Sequence, residues 1–282
     1  MNLTGETAVI TGAGRGIGEA VAHAFARGRA NLVLMARTQA ELSRVACDTA
    51  ERGVTSIPVV GDVSKRLDVQ RMIAAATERF GHIDILVNAA GIHGPIGPFV
   101  ESNLDDWTAA IETNLMGTVF AIHAVLPQML SRRKGVIINL SGGGAVQPFP
   151  RFSAYGTSKA AIVRLTETLA EEVKASGVRI NAIAPGPVNT RLLDQVLAAG
   201  ERAGSTTYFK ALEQKEKGGT PPERAAELAV FLASPAAESV NGRLISAVWD
   251  DWKSLPSRAS ELDHSALYTL RRIDGRQFRE MD

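Results

Sequence analysis

Tyr155 and Lys159 stand four residues apart in the run Ser153-Ala154-Tyr155-Gly156-Thr157-Ser158-Lys159. On a helix that spacing puts both side chains on one face. A tyrosine with its ordinary pKa near 10 is a poor proton carrier at neutral pH. An ammonium group beside it stabilises the phenolate and lowers that pKa, which suits general acid–base work. The same spacing also fits an amphipathic helix with an incidental Tyr and Lys. A second candidate lies near the N-terminus. There Thr7-Ala8-Val9-Ile10-Thr11 runs into Gly12-Ala13-Gly14-Arg15-Gly16-Ile17-Gly18, followed by the helical stretch from Glu19 to Phe25. A strand, a glycine turn and a helix form the cradle that a dinucleotide pyrophosphate needs. Glycines allow close backbone approach, and the helix N-terminus offers N–H groups and a favourable dipole. The spacing is Gly-x-x-x-Gly-x-Gly rather than Gly-x-Gly-x-x-Gly, and an ordinary tight turn is often glycine-rich too.

With these residues in order, the sequence resembles the short-chain dehydrogenase/reductase family, whose hallmark is Thr-Gly-x-x-x-Gly-Ile-Gly. Later residues extend the resemblance from residue 7 to about residue 248. Asp62-Val63 follows the third strand-like run, and Asn88-Ala89-Ala90-Gly91 follows the fourth with one substitution against the family's Asn-Asn-Ala-Gly. Asn114 falls within a helical stretch, and Pro185-Gly186-Pro187-Val188-Asn189-Thr190 follows the sixth run. The resemblance implies an NAD(P)-dependent oxidoreductase that interconverts a ketone or aldehyde and an alcohol. It makes Tyr155 the proton donor or acceptor, with Lys159 also holding the nicotinamide ribose and Asn114 anchoring a relay water. It gives the cofactor Gly12, Gly16, Ile17 and Gly18, an adenine contact at Asp62 and Val63, and the loops carrying Asn88, Ala89, Gly91, Pro185, Gly186 and Val188. Thr190 would bond the carboxamide.

The serine departs from the pattern. The family places a substrate-orienting Ser thirteen residues before the Tyr, and here that position is Gly142, within Leu140-Ser141-Gly142-Gly143-Gly144. Ser141 comes one residue earlier. A one-residue slip in a strand turns a side chain to the opposite face, but glycines at a strand end can absorb an extra residue as a bulge. Ser141 is therefore the expected donor to the carbonyl oxygen. The alternative is that Gly142 truly replaces the serine, with Ser153 or a backbone amide doing its work.

The cofactor reading rests on charge. An acidic residue ending the second strand suits the ribose hydroxyl of NAD, whereas arginine suits the phosphate of NADP. The chain reads Leu34-Met35-Ala36-Arg37-Thr38, with Arg15 in the glycine turn. Guanidinium groups match phosphate geometry, so NADP(H) is expected, with NAD(H) as the alternative. Both arginines would also serve as solvated surface charges.

The elements that must position these groups read as alternating strands and helices. Apolar runs begin at Thr7, Asn31, Ser56, Ile83, Gly135, Val178 and Arg243 without clean polar alternation, which suits parallel strands covered on both faces. Between them, Trp107, Ile111, Leu115, Val119, Ile122 and Val125 share one helix face, as do Ile162, Leu165, Leu169 and Val173. The expectation is an α/β fold, a single Rossmann-type doubly wound parallel sheet of about seven strands with helices on both faces. Residues 1–248 form one dinucleotide-binding and catalytic domain, residues 190–220 a mobile helical insertion over the substrate, and residues 249–282 an extension packed on the domain or on a neighbouring subunit. Trp249 and Trp252 flank Asp250-Asp251; such a group suits either a polyol or sugar face or simple packing.

Composition adds exclusions. The chain has 282 residues, with 31 basic and 30 acidic side chains and a formal charge of +1. That balance argues against a nucleic-acid surface. No run of about 20 apolar residues reads as a membrane span, and the N-terminus lacks a signal peptide's basic and apolar regions. A cytoplasmic protein acting on a small molecule is expected. The single cysteine, Cys47, excludes an internal disulfide and a cysteine-rich metal site; it reads as buried or half-buried. His93, just past the fourth-strand motif, could line the substrate mouth, but a surface loop histidine is the commoner explanation and it is left out of the expected site. By resemblance, the helices beginning near Asp105 and Ser153 are subunit interfaces of a homodimer or homotetramer. Two other readings stay open: a non-catalytic dinucleotide-binding regulator of the same fold, and a nucleotide-sugar epimerase or dehydratase.

Overall fold

Seven aliphatic runs pair side by side in the computed structural model, which describes residues 1–273. They are β1 (Thr7–Thr11), β2 (Asn31–Ala36), β3 (Ser56–Val60), β4 (Ile85–Asn88), β5 (Gly135–Leu140), β6 (Val178–Ala184) and β7 (Leu244–Ser246). All pair in parallel, in the order β3-β2-β1-β4-β5-β6-β7. Every residue of β1 and β5 is buried, as parallel strands covered on both faces must be.

One face carries α1 (Gly16–Arg27), α2 (Gln39–Ala50) and α9 (Pro222–Ala233), whose apolar sides pack on Ile10, Leu34 and Ile138. The other carries α3 (Arg66–Phe80), α5 (Gly117–Arg132) and α6 (Ser153–Glu172), packed on Val9, Val33 and Ile137. The strand order reverses between β1 and β4. At such a switch point the chain diverges on both sides and leaves a crevice beyond the carboxyl ends of the strands, where ligands of open α/β sheets bind.

Helix α4 (Leu104–Ile111) joins α5 through a π turn at Glu112–Met116. The resulting helix, Leu104–Arg132, is long and apolar enough to match a membrane span by length and composition. A helix that packs in the core of a domain has the same length and composition. Its buried residues, including Ala121, Ile122, Val125 and Met129, lie against the sheet.

The 190–220 insertion forms α7 (Arg191–Ala199) and α8 (Ser205–Lys217). Lys215 and Lys217 pair there with Asp194 and Glu213. The extension beyond β7 holds α10 (Ala259–His264), and Trp252, Leu255 and Leu262 are buried in the same cluster as α1 and α9. Trp252 meets Phe231 with ring centroids 5.1 Å apart, so it is a core residue and not part of a sugar-binding face. The backbone N–H of Leu244 donates to the Tyr268 carbonyl at 2.7 Å, tying the extension to β7. Residues 274–282, the end of the expected extension, lie outside the described residues. Cys47 is exposed on α2, which corrects its assignment as a buried or half-buried residue.

Candidate active site

The turn after β1 is built for a ligand that touches backbone. Gly12 and Gly16 have φ of +66° and +58°, a region that glycine enters without penalty. A Cβ at Gly12 would lie 2.7 Å from the Ala90 backbone, and one at Gly18 would lie 2.2 Å from the Gly12 carbonyl oxygen. The turn thus closes on itself and on the loop after β4, leaving α1's first N–H groups at the crevice. Thr11 Oγ1 accepts from Ala89 and Ala90 N–H at 3.2 and 3.3 Å, fixing the β4 loop beside the turn. Ile17 packs on the core. Asn88 Nδ2 donates to Asn139 Oδ1 at 2.9 Å, while buried Asn88 Oδ1 has no partner among the described residues.

The other wall comes from the loop after β6. Gly186 has φ +81°, and Thr190 caps α7, its Oγ1 accepting from Leu192 N–H at 3.3 Å. A Cβ at Gly16 would be 3.2 Å from Thr190 Cγ2, so this loop reaches the glycine turn. Pro185 and Val188 lie on the same loop, with Val188 bridged to Thr220. Asp62 and Val63 follow β3. Asp62 Oδ1 accepts from Ser64 N–H at 2.9 Å, and buried Val63 packs where Gly117 has no side chain. An orphaned buried acceptor at Asn88 and a cradle that side chains would fill both fit a dinucleotide.

Between these walls stand the acid–base candidates. Tyr155 and Lys159 are both buried on α6, with the Lys159 ammonium 5.6 Å from the Tyr155 ring centroid. Lys159 Nζ donates to the Leu140 carbonyl at 2.8 Å. Burial pushes the Tyr155 phenol up to about 12 and the Lys159 ammonium down to about 8. This corrects the expected lowering of the phenol pKa: as placed, the ammonium turns to a carbonyl, and loss of solvent outweighs it.

Asn114 sits in the π turn, fully buried. Its Oδ1 accepts from Ile92 N–H at 2.8 Å, and its Nδ2 donates to the Ile92 carbonyl and to Ser158 Oγ, both at 2.9 Å. Asn114 therefore clamps the loop after β4 onto α6. A hypothetical Cβ on Gly91 would lie 3.4 Å from Asn114 Oδ1 and 3.6 Å from Lys159 Nζ, which places Gly91 between them.

Ser141 is not where a bulge would put it. Its N–H donates to the Ile183 carbonyl at 2.8 Å, continuing the ladder in which Leu140 opposes Ile183. The ladder runs on without an inserted residue, and Gly142 is the position that meets the tyrosine. A Cβ there would lie 2.3 Å from Tyr155 Oη. Among the described residues the buried Ser141 hydroxyl has no hydrogen-bond partner. The expected bulge is thus corrected, and with it the geometry that would bring Ser141 round to Tyr155. Ser153 Oγ, the alternative, accepts from Trp107 Nε1 at 3.1 Å.

The sequence profile of short chain dehydrogenases matches residues 6–200. The chain belongs to the short-chain dehydrogenase/reductase family. It is 38% identical over 263 residues to oxidoreductase UcpA of Escherichia coli, covering 92% of this chain and 98% of that one. Among solved structures it is similar to an NAD⁺-bound xylitol dehydrogenase, with TM-score 0.81 and 28% identity over 87% of this chain and 98% of the other. A variant of actinorhodin polyketide ketoreductase with NADPH gives TM-score 0.79 and 28% identity over 86% and 95%. As a family member the protein is an oxidoreductase acting between CH–OH and C=O, with a nicotinamide dinucleotide as cofactor.

Two features of this short-chain dehydrogenase were not legible in its motifs. The first is Glu41, which faces the glycine turn from α2. It accepts from Arg15 Nη1 at 3.1 and 3.2 Å and from Arg191 Nη2 at 3.4 Å. Arg15 is therefore already paired, while Arg37 is exposed just beyond β2. Glu41 lies past the strand end where motif reading stops, so only the fold brings it back.

The second is His93, expected at the surface but only 6% exposed. Its ring meets those of Tyr155 and Phe152 at 4.8 and 5.3 Å between centroids, nearly perpendicular to each. Burial, with the Lys159 charge adding to it, pushes its pKa down to about 4. The folded protein thus prefers the neutral ring, and the unfolded chain, near 6.5, takes up the proton first. The stability this contributes is complete above pH 6.5 and is lost as pH falls towards 4. Going from pH 7 to pH 5 is expected to remove about 2 kcal/mol through this residue, read from urea midpoints. His93→Phe is expected to flatten that decline; an unchanged acid slope would contradict the assignment.

Proposed function

We propose that the protein interconverts a small-molecule ketone or aldehyde and the corresponding alcohol with NADP(H), Tyr155 carrying the proton. The observation that carries this reading is the placing of Tyr155 and Lys159, both buried and solvent-excluded, beside a glycine cradle at the sheet's switch point. When bound, the nicotinamide would supply the hydride. Gly12, Gly16, Gly18 and α1's first N–H groups would hold the pyrophosphate, with Asn88 and the Thr190 loop bordering the nicotinamide end. In the reduction direction Tyr155 Oη, protonated at neutral pH, gives its proton to the substrate oxygen. The phenolate that forms is matched by the Lys159 ammonium, whose pKa of about 8 leaves it mostly charged at pH 7. Asn114 keeps the β4 loop against α6 so that these groups do not drift apart.

Exposed Arg37 supports the NADP(H) preference; Glu41 opposes it by occupying Arg15. Absorbance assays of diacetyl, cyclohexanone and benzaldehyde with each reduced cofactor test both points. NADPH is expected to exceed NADH by at least about tenfold in kcat/KM, a difference of about 1.4 kcal/mol. Glu41→Gln, which frees Arg15, is expected to tighten NADPH binding several-fold and leave NADH unchanged. Equal efficiency with the two cofactors would refute the preference. Exposed Phe99, Val100 and Leu104 near α4, and Val146 near the start of α6, support a homodimer or homotetramer.

A further inference from the structure

The place opposite Tyr155 Oη belongs to a glycine that has no room for a side chain. A Cβ at Gly142 would sit 2.3 Å from the hydroxyl oxygen and 3.2 Å from Cζ. No hydroxyl from that position can steady the substrate oxygen while Tyr155 protonates it. Polar groups that are buried yet unpartnered are uncommon and call for an explanation. Among the described residues, the site has two besides Asn88 Oδ1: Ser141 Oγ and His93 Nδ1.

Of these, His93 is in direct contact with Tyr155, edge against face. Its backbone is held firmly, since the preceding residue, Ile92, is gripped through both its N–H and its carbonyl by Asn114. Phe152, fully buried, stacks at 4.2 Å on Phe149 and also meets the His93 ring, at 5.3 Å between centroids. The imidazole is thereby packed against two aromatic rings and, among the described residues, spends no hydrogen bond through Nδ1. Among the described residues no carboxylate acts on it; the charged group that does is Lys159, which disfavours a second cation. A neutral imidazole has one N–H to give.

We infer that His93 supplies, through Nδ1–H, the hydrogen bond to the reacting carbonyl oxygen that Tyr155 protonates, in the role a serine at position 142 would otherwise fill. This rests on the proposed carbonyl–alcohol chemistry. His93 would then be a catalytic residue in its own right, and the enzyme would polarise its substrate with a neutral ring in place of a hydroxyl.

The test is a pair of substitutions with opposite virtues. His93→Phe keeps the aromatic packing and removes the donor, whereas His93→Asn keeps a donor near the Nδ1 position and loses the ring. On whichever of diacetyl, cyclohexanone and benzaldehyde the wild-type enzyme reduces fastest, His93→Phe is expected to lower kcat on the order of 10²-fold. The NADPH dissociation constant should stay within about twofold, and His93→Asn should recover at least about tenfold of the lost kcat. The reverse order, with Phe near wild type and Asn impaired, would reduce His93 to a packing residue and overturn the inference. So would a hundredfold loss in Ser141→Ala with His93→Phe unaffected. Tyr155→Phe in the same assay separates the two layers. If that variant stays active, the proton-donor reading fails; if it is dead while His93→Phe is fully active, only the role of His93 falls. A wild-type enzyme that binds NADPH and reduces none of the three would remove both.

Discussion

Replacing Tyr155 with phenylalanine is expected to lower kcat on the order of 10³-fold while leaving the NADPH dissociation constant within a few-fold. The substitution removes one oxygen and keeps the ring that packs against His93 and the Lys159 ammonium, so the fold and the glycine cradle should be undisturbed. What goes is the phenolic proton that α6 holds beside Gly142. Burial pushes that phenol up to about 12, so it is protonated at neutral pH and fit to donate in the reductive direction. Oxidation of an alcohol asks it to accept a proton, and the oxidative rate should therefore rise with pH further into the alkaline range than the reductive rate. Cofactor fluorescence and stopped-flow absorbance would read both quantities. A variant that keeps wild-type turnover would remove Tyr155 from the chemistry.

Gly142→Ser, which would give the chain the serine common in its family, is expected to damage the enzyme. The added Cβ begins 2.3 Å from Tyr155 Oη, well inside contact distance, and the phenol it would displace is packed against His93. Displacing a reacting group by about 1 Å costs on the order of 10²-fold in rate, and overpacking a filled interior costs about 1–3 kcal/mol in stability. Gly142→Ala serves as the control: if the Cβ is the cause, both variants lose similar activity, with cofactor binding retained. Activity that rises in Gly142→Ser and falls in Gly142→Ala would show that the hydroxyl is welcome and the present arrangement is not fixed.

The architecture was readable because its causes are local. Parallel strands buried on both faces must be uninterrupted aliphatic runs, and seven such runs separated by helix-period segments leave few other topologies. The glycine turn was readable for the same reason, since Gly12 and Gly18 are dictated by backbone approach that no other residue permits. The misreadings share a different origin. Ser141 and Gly142 differ by which way a strand end presents them, and that is decided by whether the ladder with Ile183 continues, a fact carried by another segment. His93 lies in a loop with no period to reveal its inward side, and Trp252 is buried only because α9 supplies Phe231 beside it. Spacing brought Tyr155 and Lys159 together correctly, yet it contains nothing about the solvent they lose, which reverses the direction of the phenol's shift.

The π turn at Glu112–Met116 has a consequence for how this molecule tolerates change. A π turn accommodates one residue more than the helix on either side requires, so α4 and α5 can stay in phase with the sheet whether or not the surplus residue is present. The helix as a scaffold and the widened turn as a tool are thus separable units of the same stretch of chain. Shortening the segment by one residue would rewind it into ordinary α-helix with its outer contacts intact, and the grip of Asn114 on Ile92, together with the loop that aims His93, would be what disappears.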